Sequence, residues 1–251
     1  MKKHIIFIIL VSVIGRVGYT QSRQLIELRR EMDSLSKSHR NTSLPSEQVL
    51  YYYYNNLQDT SKVRRYRNLK YLLGNIAIPL GSVCKWKSLN GLEVYYKGGI
   101  PECIKKLDQL SFLSIGSYKP KIVPDIFYTF KDLLVLIITY PNARFISDGI
   151  NTLQKLEVLH IMMDRMKKFP LSVCELTKLY ELQCYTSRPI KLPTSFVKLK
   201  KLRKLHINLD LQDEKSIDVL CQMTQLEELT LYNRRLKKIP EKKTSEADTF
   251  N

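Results

Sequence analysis

Between residues 89 and 231 the apolar positions repeat one pattern seven times. The unit is LxxLx(I/L/V/C), carried by Leu89-Leu92-Val94, Leu110-Leu113-Ile115, Leu133-Leu136-Ile138, Leu156-Leu159-Ile161, Leu179-Leu182-Cys184, Leu202-Leu205-Ile207 and Leu226-Leu229-Leu231. Their first leucines lie 21, 23, 23, 23, 23 and 24 residues apart. The closing LxL has the period of two that a short strand requires. Most units then show an apolar residue followed by proline, at Ile100-Pro101, Val123-Pro124, Phe169-Pro170, Leu192-Pro193 and Ile239-Pro240; Ile146-Ser147 keeps the slot without the proline. Two more apolar slots fall six and three residues before each core, as in Ile104 and Leu107 or Val173 and Leu176. A fainter unit with Val83 and Trp86 in those slots precedes them.

Each period therefore predicts one short strand and one proline-led helical or irregular turn. A unit of this size offers about seven inward apolar side chains, worth roughly 2 kcal/mol each. Ordering it costs on the order of 1.5 kcal/mol per residue, so a lone unit cannot fold and neighbours must share a core. Upstream the periodicity changes: Leu25, Leu28, Met32 and Leu35 have helical spacing. The tyrosine run Tyr51 to Tyr54 follows, as either a ligand platform or packing for the first repeat.

The pattern resembles the leucine-rich repeat family in its LPxxIxxLxxLxxLxL variety, from about Leu69 to Pro240. The resemblance implies an α/β solenoid, a curved coil with short parallel strands on its concave face and helical or irregular turns on its convex side. With the residues on either side read by their own composition, the chain divides into residues 1–20 as a signal peptide, 21–68 as an N-terminal helical cap, 69–240 as the repeat domain and 241–251 as a disordered tail. The resemblance also makes protein binding the default function. One departure is visible. The family places Asn or Cys three residues after the LxL, where this chain has Lys97, Tyr118, Pro141, Asp164, Ser187, Asp210 and Arg234. Asp164, Ser187 and Asp210 are the partial substitutes, and a less regular coil is expected.

Strand alternation sends the third, fifth and seventh positions of each core outward on the concave side. The middle of that face is apolar where the core does not need it, at Phe112, Val135, Ile137, Val158 and Met162, with Tyr140 and Met163 beside them. An apolar patch of this kind marks an interaction site or a surface covered by another part of the chain. With His160, Tyr185, His206 and Tyr232 on the same face, these residues form the candidate partner-binding surface. The three columns hold one cation, Lys204, against Glu93, Glu181 and Glu228.

Charge changes the picture less than its size suggests. The chain carries +17, and a basic balance permits attraction to anionic polymers or lipid surfaces. Lys155, Lys178 and Lys201 share one slot in three successive repeats, so they stack roughly 5 Å apart along one edge of the coil. Lys168, Lys191 and Lys238 share another slot. Such ladders suit an anionic glycan or lipid head groups. No nucleic-acid fold signature accompanies them. The start, MKKHIIFIILVSVIGRVGYT, has the charged, apolar and small-residue parts of a secretory signal, the alternatives being an uncleaved anchor or a buried strand. Its apolar run is too short to span a bilayer, and no later segment is long enough. The expected location is periplasmic, cell-surface or secreted.

The exported setting permits disulfides, and Cys84 and Cys103, at nearly matching slots of adjacent units, are the candidate pair. Cys184 replaces a core leucine and is expected to be buried and inert. His160 and His206 share a column two repeats apart, roughly 10 Å, which is a poor metal site. No phosphate loop, nucleophile elbow or HExxH motif is present. The sequence therefore points to a non-catalytic binding module with no metal and no cofactor.

Overall fold

A computed structural model describes residues 23–38, 51–57, 66, 68–76, 80–96 and 98–232. The expected signal peptide and tail lie outside these residues, as do Lys238 and the Ile239-Pro240 slot. Nine strands form one open parallel sheet in chain order. They are β1 (Tyr51–Leu57), β2 (Tyr71–Ile76), β3 (Gly91–Tyr95), β4 (Phe112–Gly116), β5 (Val135–Thr139), β6 (Val158–Met162), β7 (Glu181–Tyr185), β8 (Lys204–Ile207) and β9 (Glu228–Leu231). The pairing follows the sequence alignment residue for residue: Phe112 faces Val135, Val135 faces Val158, Val158 faces Glu181, Glu181 faces Lys204, and Lys204 faces Glu228.

The convex side is made of short 3-10 turns. Pro101, Pro124, Pro170 and Pro193 stand at their N-caps with φ between −66 and −78°. That is the angle a proline ring imposes without needing an amide partner. Ser147 reaches −74° with no ring, so the slot tolerates its loss. In the last full repeat, which is one residue longer, the 3-10 turn becomes a true helix, α2 (Glu214–Cys221). Asp213 caps it by accepting from the Ser216 amide, the standard way to satisfy an orphan N–H.

The core runs the length of the coil from Tyr66 to Met223. Trp86 seals its first end, with Nε1 donating to the Tyr66 carbonyl at 2.6 Å. A disulfide between Cys84 and Cys103 links the first two turns there, with Cα atoms 5.7 Å apart. Cys174 and Cys184 are buried free thiols, and burial pushes Cys184 up to about 12. The missing asparagine ladder is partly replaced from other slots. Asn142 Nδ2 donates to the Tyr118 carbonyl and Asn208 Nδ2 to that of Thr186. Asp210 accepts from the Gln212 amide.

The N-terminal region does more than close the end of the coil. Helix α1 (Arg23–Ser38) lies across the concave face, while β1 takes the end of the sheet. The tyrosine run Tyr51 to Tyr54 pairs by its backbone with Tyr71 to Gly74.

Candidate functional site: the concave face

Helix α1 presents Leu25, Leu28 and Met32 to the sheet. They form a second apolar cluster, separate from the main core, with Tyr71, Leu73, Phe112, Leu134, Val135, Ile137 and Val158. Leu35 and Met162 close its margin. Helical spacing on one side and period-two alternation on the other generate two apolar surfaces that fit each other. Four of the expected partner-binding residues, Phe112, Val135, Ile137 and Val158, are thus at most 2 % exposed, and His160 is fully buried. The surplus of apolar residues on this face has an internal explanation: it seats the chain's own helix.

Tyr140 requires a correction. It is buried in the main core and donates its hydroxyl to Tyr96 at 3.2 Å. Strand alternation continues one residue past Thr139, so Tyr140 turns inward, and Met163 does the same after Met162. Neither belongs to the concave surface.

Polar contacts fix the helix at both flanks. Tyr71 donates its hydroxyl to Glu31 at 2.7 Å, and Lys70 Nζ approaches the same carboxylate at 3.5 Å. The Tyr71 ring lies over Gly91, where an added Cβ would come within 2.5 Å of it. Glycine at the head of β3 therefore makes room for the ring that holds α1. On the other side Arg29 is 3 % exposed and sits in the field of Glu181 and Glu157. Burial lowers its pKa, and these carboxylates oppose the shift.

Glu181 is the centre of this polar group. His160 Nε2 lies 2.9 Å from its Oε1, and Gln183 Nε2 donates to the same oxygen at 2.7 Å. Burial pushes this carboxyl up, but the bonds from His160 and Gln183 and the charge of Arg29 outweigh it and hold Glu181 down at about 2. The network continues outward. Tyr185 donates to Gln183 Oε1 at 3.3 Å, and its hydroxyl lies 3.1 Å from that of Tyr232.

Beyond Tyr185 the face is open. The Tyr185 and Tyr232 rings meet at 5.0 Å between centroids, tilted 42° to each other, flanking the strand between them. His206 Nε2 and Lys204 Nζ each stand 3.5 Å from the Glu228 carboxylate. Partial burial lowers the pKa of His206, with Glu228 acting against it. Tyr232 is 38 % exposed, while Tyr185 and His206 are half-buried. The expected surface is thus divided: the part from β2 to β6 holds α1, Glu181 and Gln183 of β7 are buried beside it, and the part from Tyr185 across β8 and β9 remains accessible. The helical spacing of Leu25, Leu28 and Met32 was the available signal for the helix. Nothing in the spacing of Arg29 pointed to its seat beside Glu181.

On the edge of the coil Lys155 pairs with Asp132, leaving Lys178 and Lys201 exposed without an ion pair among the described residues. A cleft of about 640 Å³ lies between α1 and this edge, lined in part by Gln24, Glu31, Asp132 and Lys155. No helix among the described residues is long and apolar enough to cross a membrane.

No family model and no curated protein matches the chain. Solved structures do. An internalin from Listeria monocytogenes superposes with a TM-score of 0.51 at 17% identity, over 72% of this chain and 54% of that one. The Arabidopsis receptor kinase HAESA, solved with the peptide hormone IDA and the co-receptor SERK1, gives 0.51 at 16% identity, over 72% of this chain and 32% of that one. A Leptospira interrogans LRR protein gives 0.46 at 20% identity, over 68% and 51%. This chain spans about half the length of the internalin and a third of the receptor kinase. What is shared at these identities is the fold.

Proposed function

The chain is a leucine-rich repeat solenoid, and from that premise we propose that it is a non-catalytic recognition module, exported to the cell envelope or secreted space, that binds a protein partner through its concave face. The observation that carries this reading is the uncovered stretch beyond α1. There a tyrosine pair in ring contact, Tyr185 and Tyr232, stands beside His206 and the Lys204–Glu228 pair on the parallel sheet. Tyrosine is enriched where interface energy concentrates, because it buries a large ring and keeps a polar tip. The parts of the concave face that fit a partner are therefore Tyr185, His206 and Tyr232, with half-buried Thr230 beside them.

The covered part of the face supports the same reading from another side. It accepts an amphipathic helix with a matched charge, which shows what kind of element the curvature accommodates. The HAESA structure contains a peptide hormone and a co-receptor, and this is the class of ligand we infer for the present chain.

The test is capture from extracts of the producing cell with the protein immobilised, comparing it with Tyr185→Ala/Tyr232→Ala. Truncating an interface anchor costs about 2 kcal/mol or more, so each change should weaken capture of a specific partner by roughly 30-fold. A partner retained equally by both proteins would overturn the concave-face reading.

A further inference from the structure

We propose that the descending edge of the coil, where each strand turns toward the convex side, is a docking surface for a bilayer rich in anionic lipid. The surface is built on two adjacent loops. The first presents Tyr118, Lys119, Lys121 and Ile122; the second presents Arg144 and Phe145. All six side chains are exposed, with Tyr118 at 66 %, Ile122 at 53 % and Phe145 at 60 %. Among the described residues the other exposed large apolar side chains are Leu171 on a convex turn and Leu229, Leu231 and Tyr232 at the far end of the sheet, so three together on two neighbouring loops within the coil call for an occupant.

The exposure does not come from loose backbone. Ile122 and Phe145 are paired as a parallel bridge. The Arg144 amide donates to the Lys121 carbonyl at 2.8 Å, the Val123 amide to that of Phe145 at 3.3 Å, and Asn142 Nδ2 to that of Tyr118 at 2.7 Å. The loops are zipped to each other and hold their side chains outward as a platform.

Charge selects the occupant. Residues 118–122 and 141–146 contain three cations and no acid. None of Lys119, Lys121 and Arg144 has an ion pair among the described residues. The nearest carboxylates in sequence, Asp125 and Asp148, open the convex turns, and Asp125 already accepts from the Ser147 hydroxyl. The next loop continues the basic strip with exposed Lys167 and Lys168. An anionic polymer would be held by the cations alone and leave Ile122 and Phe145 in water. A lipid interface takes both, burying aromatic and aliphatic side chains below the head groups while Lys and Arg meet the phosphates.

This surface shares no residue with the concave face, so the two readings fail separately. The experiment is co-sedimentation of the full chain with vesicles of phosphatidylcholine mixed with phosphatidylglycerol, and with phosphatidylcholine alone. The wild type should partition to the mixed vesicles and not to the neutral ones. A cation near an anionic bilayer contributes about fivefold to partitioning, so Lys119→Gln/Lys121→Gln/Arg144→Gln should lose on the order of 100-fold. Ile122→Ser/Phe145→Ser should lose roughly tenfold or more, with an unchanged melting temperature because both side chains are outside the core. Tyr185→Ala/Tyr232→Ala should partition like the wild type. Absence of binding by the wild type, or equal binding by all variants, overturns the proposal. Loss in the charge variant alone, with wild-type binding competed away by heparin, overturns it in favour of a soluble polyanion.

Discussion

Helix α1 should leave its seat without unfolding the coil, because its apolar contacts form a cluster of their own. Leu25 is fully buried against the concave face, while the coil closes its core independently from Tyr66 to Met223. Leu25→Ala deletes buried methyl groups whose loss, with the cavity left behind, costs about 2–5 kcal/mol. That cost falls on the docked helix alone. The equilibrium between docked and detached helix should therefore shift by at least 30-fold, since each 1.4 kcal/mol is about a factor of ten. Amide hydrogen exchange reads this directly: amides near Leu28 and Met32 should lose protection by that factor, while those of the central strands, such as Leu136 and Leu159, keep theirs. Trp86, the single tryptophan of the chain and buried in the coil, supplies the control. Its fluorescence should report an unchanged coil melting temperature. Leu159→Ala carries a comparable local cost and should have the opposite signature, lowering the coil transition. Equal loss of protection in α1 and in the central strands after Leu25→Ala would refute the two-unit picture and make the helix an integral layer of the fold.

Arg29→Ala should weaken α1 docking, because buried Glu181 and Glu157 lose a cation that acts on them, whereas Arg29→Ala combined with Glu181→Gln should recover part of it; exchange of the α1 amides measures both. Acidification should release the helix with a defined sign. Glu181 is held below its ordinary value of 4.5, at about 2, so its contribution is complete above the ordinary carboxylate range and is lost as the pH falls from there toward about 2. Glu181→Gln should flatten that part of the α1 exchange profile. Cys84→Ser/Cys103→Ser opens a loop of sequence separation 19 and should cost about 3 kcal/mol, read as a lower Trp86 transition with the β7–β9 end unaffected.

The repeat register was fully legible in the sequence. Leu136, Leu159 and Leu182 must point into a shared core, and once they do, hydrogen bonding between parallel strands leaves one alignment for Val135, Val158 and Glu181. The seat of α1 was legible only in halves. The helix showed itself in Leu25, Leu28 and Met32, and the surplus apolar patch in Phe112, Ile137 and Val158. Joining them depends on where helix α1 comes to rest against the sheet, a three-dimensional fact with no periodic signature. Tyr140 failed for a smaller reason: alternation outlasts the named strand by one residue, and counting on places it inside. Arg29 gave no sign of its burial and His160 read as part of the partner-binding face, because a buried polar group is recognised by its partners, and Glu157 and Glu181 lie more than a hundred residues from Arg29 in sequence.

The concave face divides where its chemistry changes. From β4 to β6 the outward columns are mostly apolar and hold the helix; from Glu181 onward they are polar, and from Tyr185 onward they are open. Gln183 joins the two parts, donating to Glu181 on the covered side and accepting from Tyr185 on the open side. Tyr232, Tyr185, Gln183 and Glu181 thus form one unbroken chain of polar contacts that ends beside Arg29 of α1. A partner that reorients either tyrosine hydroxyl changes what Gln183 can offer to Glu181, and Glu181 is the carboxylate that compensates the buried guanidinium. The open surface and the seat of the helix therefore share a buried amide. In a low-dielectric setting hydrogen bonds in a network polarise one another, so a change at one joint is felt at the next. On this reasoning Tyr185→Phe, which deletes the hydroxyl and keeps the ring, should leave the coil transition unchanged and still raise exchange at the α1 amides, whereas Tyr232→Phe, one step farther out, should do so less.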